Sequence, residues 1–151
     1  MAKKRELLDI FSAESLITDS IAEMKKKMES SKQAITKGTH MIDALMNEEK
    51  GTIKESVVEF MQQAIKQKIS EAKKYWETST KKLYDLDKSI QEELKARDLT
   101  SVRFTRLKKL QAKNIEAKHK MASFNIKKME EDAYATIARL SRALRKHYHN
   151  M

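Results

Sequence analysis

The chain contains no cysteine. That excludes a disulfide framework, a thiolate metal site and a cysteine nucleophile. It contains no proline, and glycine occurs only at Gly38 and Gly51. Turns draw on glycine, proline or asparagine at fixed positions, and a sandwich, barrel or doubly wound sheet of 151 residues needs many turns. The supply is too small for any of these folds. Aromatic residues are also scarce, at 6%, which argues against one deep core and for helices with narrow apolar seams. No apolar run approaches the roughly 20 residues of a membrane span. The start Met1-Ala2-Lys3-Lys4-Arg5 lacks the continuous apolar stretch of a secretory signal. The expected location is therefore inside a cell, in cytoplasm or nucleus.

What is present is the set of good helix formers: Lys, Glu, Ala, Leu, Met, Gln and Arg. Charged residues reach 36%. Such a content suits disorder when apolar residues are sparse, but here they recur at helical spacing. Alternating steps of three and four land on Leu7, Ile10, Glu14, Ile17, Ile21, Met24, Met28, Ser31, Ile35, Gly38, Ile42 and Leu45. A heptad pattern of that length predicts a helix that packs on other helices. Ser31 and Gly38 interrupt the apolar series. They either admit a close neighbour, mark a kink near residues 36–39, or are simply a weaker stretch of helix.

A second segment opens on Ile53, Val57, Phe60 and Ala64. It continues on Ile65, Ile69, Ala72, Trp76, Ser79, Leu83, Leu86 and Ile90, with a stutter-like shift between Ala64 and Ile65. Trp76 reads as packed core. A third segment carries Leu107, Leu110, Asn114, Ala117, Met121 and Phe124, then shifts to Ile126, Met129, Ala133, Ile137, Leu140, Leu144 and Tyr148. Asn114 is either a polar register device in the seam or a surface asparagine.

The boundary between the first two segments is Gly51, suited to a left-handed residue after a helix. Thr52 with Glu55 has the spacing of a capping box. The second boundary, at residues 97–102, has no glycine or proline, only the possible N-caps Asp98 and Thr100. A turn there gives three helices in an antiparallel bundle; its absence gives one very long helix in an extended coiled coil. We favour the turn. The fold class expected is all-α: a single helical domain over residues 1–151, with helices near 3–49, 52–97 and 100–148. The helix-association seam comprises Leu7, Ile10, Ile17, Ile21, Met24, Met28, Ile35, Ile42, Leu45, Ile69, Trp76, Leu83, Leu86, Ile90, Leu107, Leu110, Met121 and Phe124.

The net charge of +10 is unevenly placed. Residues 1–50 hold nine basic and nine acidic side chains, residues 51–98 ten and nine, and residues 99–151 thirteen and four. Arg106, Lys113, Lys120 and Lys127 recur every seven residues with Lys109 beside them, and Arg103 stands just before. On one helix, side chains seven apart share a face at about 10.5 Å intervals. Arg139, Arg142, Arg145 and Lys146 form a second cluster. A line of such charges meets phosphates without reading bases, or lies on an anionic leaflet, or is merely a solvated face. The acids that pair the charges of the first two segments are missing from the third, which favours a polyanion or an acidic partner.

Chemistry has no visible constellation. No Walker loop, H-E-x-x-H or G-x-G-x-x-G occurs, and the inward Glu and Glu-x-x-His pairs of a di-iron bundle are missing. His147 and His149 are two apart, so on a helix they diverge; they read as a frayed basic terminus rather than a metal pair. The expectation is therefore a structural or interaction protein, not an enzyme, with no cofactor and no metal. It would form a homo-oligomer or join a helical partner through the seams, and show its basic third segment to a polyanion, with DNA or RNA preferred. Phe104 and Phe124, read as seam residues, leave few bulky apolar groups for lipid. The alternatives are a peripheral module on an anionic membrane and an adaptor subunit of a larger helical complex. In layout alone, and in no motif, the chain resembles membrane-bending bundles of the BAR type and chromosome-axis coiled-coil proteins.

Overall fold

The computed structural model describes residues 7–149. Four helices account for 87% of the structure, with no strand among the described residues. They are α1 (Ile10–Asn47), α2 (Glu55–Leu94), α3 (Ser101–Ser123) and α4 (Ile126–His149). The fold is all-α, and the third expected segment is divided into α3 and α4.

Each helix end has a local cause. The expected start of α1 at residue 3 lies outside the described residues, and among those described the helix begins only after Asp9. The Asp9 carboxylate accepts hydrogen bonds from the Ser12 N–H (3.1 Å) and hydroxyl (2.9 Å), as an N-cap does. Between α1 and α2, Gly51 takes φ +81°, a region that a Cβ disfavours. The expected capping box at Thr52 does not form. The Thr52 hydroxyl instead donates back to the Glu49 carbonyl at 2.6 Å, and α2 starts three residues later, at Glu55.

The chain reverses between α2 and α3, and of the two possible caps it uses Thr100, whose hydroxyl oxygen accepts the Arg103 N–H at 3.2 Å. The break between α3 and α4 was expected only as a shift of the stripe. Phe124 adopts extended backbone (φ −70°, ψ 107°), and the Asn125 side chain accepts the Lys128 N–H at 3.0 Å. An asparagine N-cap thus starts a new helix without help from glycine or proline.

The chain divides into two compact units. In the first, residues 7–24 pack with Trp76–Phe124. Met24, Leu83, Ile90, Leu107, Leu110 and Met121 fill its core. Asn114 is a core residue here, fully buried, and its amide donates to the Leu83 carbonyl at 2.9 Å. The Trp76 N–H donates to the Met121 carbonyl at 2.8 Å, which also accepts the Phe124 N–H at 3.3 Å where α3 ends.

The second unit packs Lys25–Tyr75 with the residues from Asn125 onward. Its core joins Ile42, Leu45, Val58, Ile65, Ile69, Ala133, Leu140 and Ala143. Ser31 and Gly38 are points of close approach within α1, which runs through both. The Ser31 hydroxyl donates to the Lys68 carbonyl at 3.2 Å. A Cβ on Gly38 would lie 2.7 Å from Ile65 Cδ1 and 2.8 Å from Thr136 Cγ2.

The apolar stripe of α2 differs from its expected course at the start. Val57 and Phe60 are exposed, Phe60 at 76%, and Val58 is fully buried. Counting back from Ile65 through Gln62 to Val58 keeps an unbroken three–four rhythm, so no stutter exists. Of the expected seam, Ile17, Met24, Ile42, Leu45, Ile69, Leu83, Leu86, Ile90, Leu107, Leu110 and Met121 are buried. Ile10, Ile21, Met28, Ile35, Trp76 and Phe124 are half-buried. Leu7 is exposed, because it precedes the helix whose face was meant to carry it.

Candidate polyanion interface

On α3 the seven-residue spacing of Arg106, Lys113 and Lys120 sets three exposed cations along one flank, with Lys109 also exposed. The fourth expected member, Lys127, falls beyond the break, on α4. The seven-residue spacing defines a common face only within one helix, and α3 carries three of the four.

Arg103 departs further from expectation. Its guanidinium grips the buried Glu93 carboxylate, with Nη2 at 2.9 Å from Oε1 and 3.1 Å from Oε2 and Nε at 3.2 Å from Oε1. Nη2 also donates to the Leu8 carbonyl. Glu93 is only 4% exposed, and a buried carboxylate requires such a partner. Arg103 is therefore a structural cation, engaged within the fold. Lys113 lies 3.5 Å from Glu14, with both side chains largely in water, an arrangement worth little. Lys118 lies 3.5 Å from Asp87 and 4.7 Å from the Tyr84 ring centre. Among the described residues, Arg106, Lys109 and Lys120 are the cations of α3 with neither an ion pair nor a ring contact.

The end of α4 is less neutralised. Arg139, Arg142 and Lys146 stand at i, i+3 and i+7 and so share a face, with Arg145 adjoining Arg142. All four are exposed, and none has an ion pair among the described residues. Between Ala133 and His149 the sequence has no carboxylate at all. The helix dipole favours cations near a C-terminus, but its effect fades beyond the last turn. Arg139 and Arg142 lie outside that turn, so helix electrostatics alone does not call for them.

Two histidine expectations separate here. His147 is not frayed: it is 3% exposed. Its Nδ1 lies 3.0 Å from the Leu45 carbonyl, and Nε2 accepts N–H groups of Gly51 (3.1 Å) and Ile53 (3.4 Å). The Tyr148 hydroxyl donates to the Ile53 carbonyl. This end of α4 therefore satisfies the backbone groups that α1 and the Gly51 reversal leave open. A hint was available, since His147 is seven residues beyond Leu140 and falls on the buried stripe. The cations beside it are held on an anchored helix.

Phe104 also differs from the seam reading. It is 44% exposed, with the Lys108 ammonium 5.7 Å from its ring centre. Among the described residues no group of three or more His, Cys, Asp or Glu side chains is placed to hold a metal ion, and no helix is long and apolar enough to cross a membrane. Comparison with protein-family models, curated proteins and solved structures returned no match.

Proposed function

We propose that this chain is a non-enzymatic helical interaction module that presents the basic surfaces of its third segment to a polyanion, with nucleic acid first. The observation that carries the reading is the acid-free stretch of α4, where Arg139, Arg142, Arg145 and Lys146 are exposed on a helix whose end is tied down by His147. Arg106, Lys109 and Lys120 on α3 add to it. Cations so displayed neutralise phosphates and release counterions, and they carry no base-reading geometry. The seam residues are largely covered by the chain's own helices, so a partner helix would have to displace one of them. Self-association through the seams is thereby the less supported half of the expectation.

The test compares the wild type with a variant carrying Arg139→Gln, Arg142→Gln, Arg145→Gln and Lys146→Gln. Glutamine is nearly as good a helix former as Lys or Arg, so circular dichroism should be unchanged. Binding to duplex DNA, followed by anisotropy, should weaken, and the slope of log affinity against log salt should shallow by up to about 3–4 units. Equal binding by both proteins removes α4 from the interface.

A second reading, an anionic membrane surface, is favoured by the exposed Phe104 beside Lys108. Vesicles of phosphatidylserine and phosphatidylcholine distinguish it. On this reading Phe104→Ser lowers vesicle binding and leaves DNA binding intact.

A further inference from the structure

The four tyrosines of the chain have unequal surroundings. The Tyr75 ring has the Lys27 ammonium 5.4 Å from its centre, and the Tyr84 ring has that of Lys118 at 4.7 Å. Tyr148 stands edge-on to His147 and donates its hydroxyl to the Ile53 carbonyl. Tyr134 has neither a cation, a ring nor a hydrogen bond against it among the described residues, and it is 48% exposed. The core in this stretch is built by Ala133, Leu140 and Ala143, and Tyr134 is not part of it.

Its position on α4 is specific. Residues 134, 138, 142 and 145 step by four, four and three, so they form one outward strip. The strip reads Tyr134, Ala138, Arg142, Arg145, and all four are exposed. Ala138 is small and leaves the side of the ring towards the arginines open. The distance along the axis from Tyr134 to Arg145 is about 16 Å. Glu130 and Glu131 precede Tyr134 by four and three residues and adjoin it at the N-terminal end of the strip, with Glu130 paired to Lys73 at 3.1 Å. The strip therefore runs from an aromatic face into uncompensated positive charge, towards the end of the helix.

We propose that this strip is a track for single-stranded nucleic acid, with a base stacked on Tyr134 and the following phosphates held by Arg142 and Arg145. The inference rests on the polyanion reading above and narrows it. A duplex keeps the faces of its bases inside the stack, so it has nothing to place on an exposed ring. A single strand offers a π-face with every base, and the pairing of aromatic platforms with cations is how such strands are bound without sequence preference.

The test uses the full chain with a fluorescein-labelled oligothymidylate and a mixed-sequence duplex of equal length. The titrations are read by anisotropy at low and moderate salt. Tyr134→Ala should weaken oligothymidylate binding roughly tenfold, within the range seen for loss of one stacked base, and leave the duplex within about a factor of two. Tyr134→Phe should bind as the wild type does, since the ring and not the hydroxyl carries the contact. Arg142→Gln with Arg145→Gln should weaken both probes and shallow both salt slopes. If Tyr134→Ala binds oligothymidylate as tightly as the wild type while the arginine variant does not, the track is overturned and the polyanion reading stands. If the wild type binds neither probe at low salt, both fall. Tyr134 is exposed, so unchanged thermal melts of its variants will exclude misfolding as the cause of a loss.

Discussion

Arg103 and Arg142 are alike in a composition count and opposite in role. Arg103 neutralises Glu93, a carboxylate the fold has taken out of water; Arg142 is exposed with no partner among the described residues. Breaking a buried pair by removing one partner costs about 3–5 kcal/mol, because the other charge is left desolvated. Arg103→Gln should therefore lower the melting temperature sharply, and Arg103→Gln with Glu93→Gln should recover much of the loss. Polyanion affinity of whatever protein remains folded should be near that of the wild type. A melting temperature within a degree or two of the wild type would mean that the pair is not formed in solution. The distinction was not legible in the sequence, because Glu93 and Arg103 look like ordinary surface residues on either side of a turn. Only the reversal at residues 95–100 brings them together. Ser31 and Gly38 were legible as small seam residues, yet which of their possible meanings held depended on Ile65, Lys68 and Thr136, all distant in sequence.

Among the elements, the helices themselves were the easiest to read and their ends the hardest. The rhythm of α1 and the later part of α2 follows the apolar spacing closely. The early part of α2 was misread because Val57 and Val58 are adjacent and equally apolar, and only one continues the stripe through Gln62. A polar residue at a seam position hid the true register. The gap between α3 and α4 was visible as a phase shift at Ile126, but Ser123, Phe124 and Asn125 include no residue that compels a break.

The start of α1 offers a test in pH. Hydrogen bonds from the Ser12 N–H, then from its hydroxyl, hold the Asp9 carboxyl below its ordinary value. Weaker contributions from the Phe11 N–H and the Arg103 charge act in the same sense, and burial opposes them. A carboxyl lowered in the folded state stabilises it fully above the ordinary carboxylate pKa, near 4. That contribution is lost as pH falls through the lowered folded value. Asp9→Ala should therefore melt below the wild type at neutral pH, and the gap should narrow as pH falls below about 4. Asp9→Asn, which also caps, should show no such pH-dependent gap relative to Asp9→Ala. A gap between wild type and Asp9→Ala that stays constant down to pH 2 would contradict the cap.

For the molecule as a whole, the informative quantity is how charge is apportioned. The excess of basic residues in the final third could be counted directly from the sequence. What could not be counted was which of those cations the fold consumes. Arg103 and Lys118 are drawn into contacts, Lys113 loosely so, while the last turns of α4 remain open. The expected interface was centred on the α3 line; burial and pairing move its weight towards Arg139, Arg142, Arg145 and Lys146. The boundary between the two compact units falls inside α1 and α2 but at the break of the third segment, so its two basic surfaces belong to different units. The proposal that these surfaces bind phosphate backbones by charge, without reading sequence, is open to direct test. The most direct measurement is the affinity of the wild-type chain for two nucleic acids of unrelated sequence over a series of salt concentrations. Log affinity should fall linearly with log salt, with slopes that agree for the two sequences. Failure to bind either at low salt, or binding that ignores salt, would contradict it.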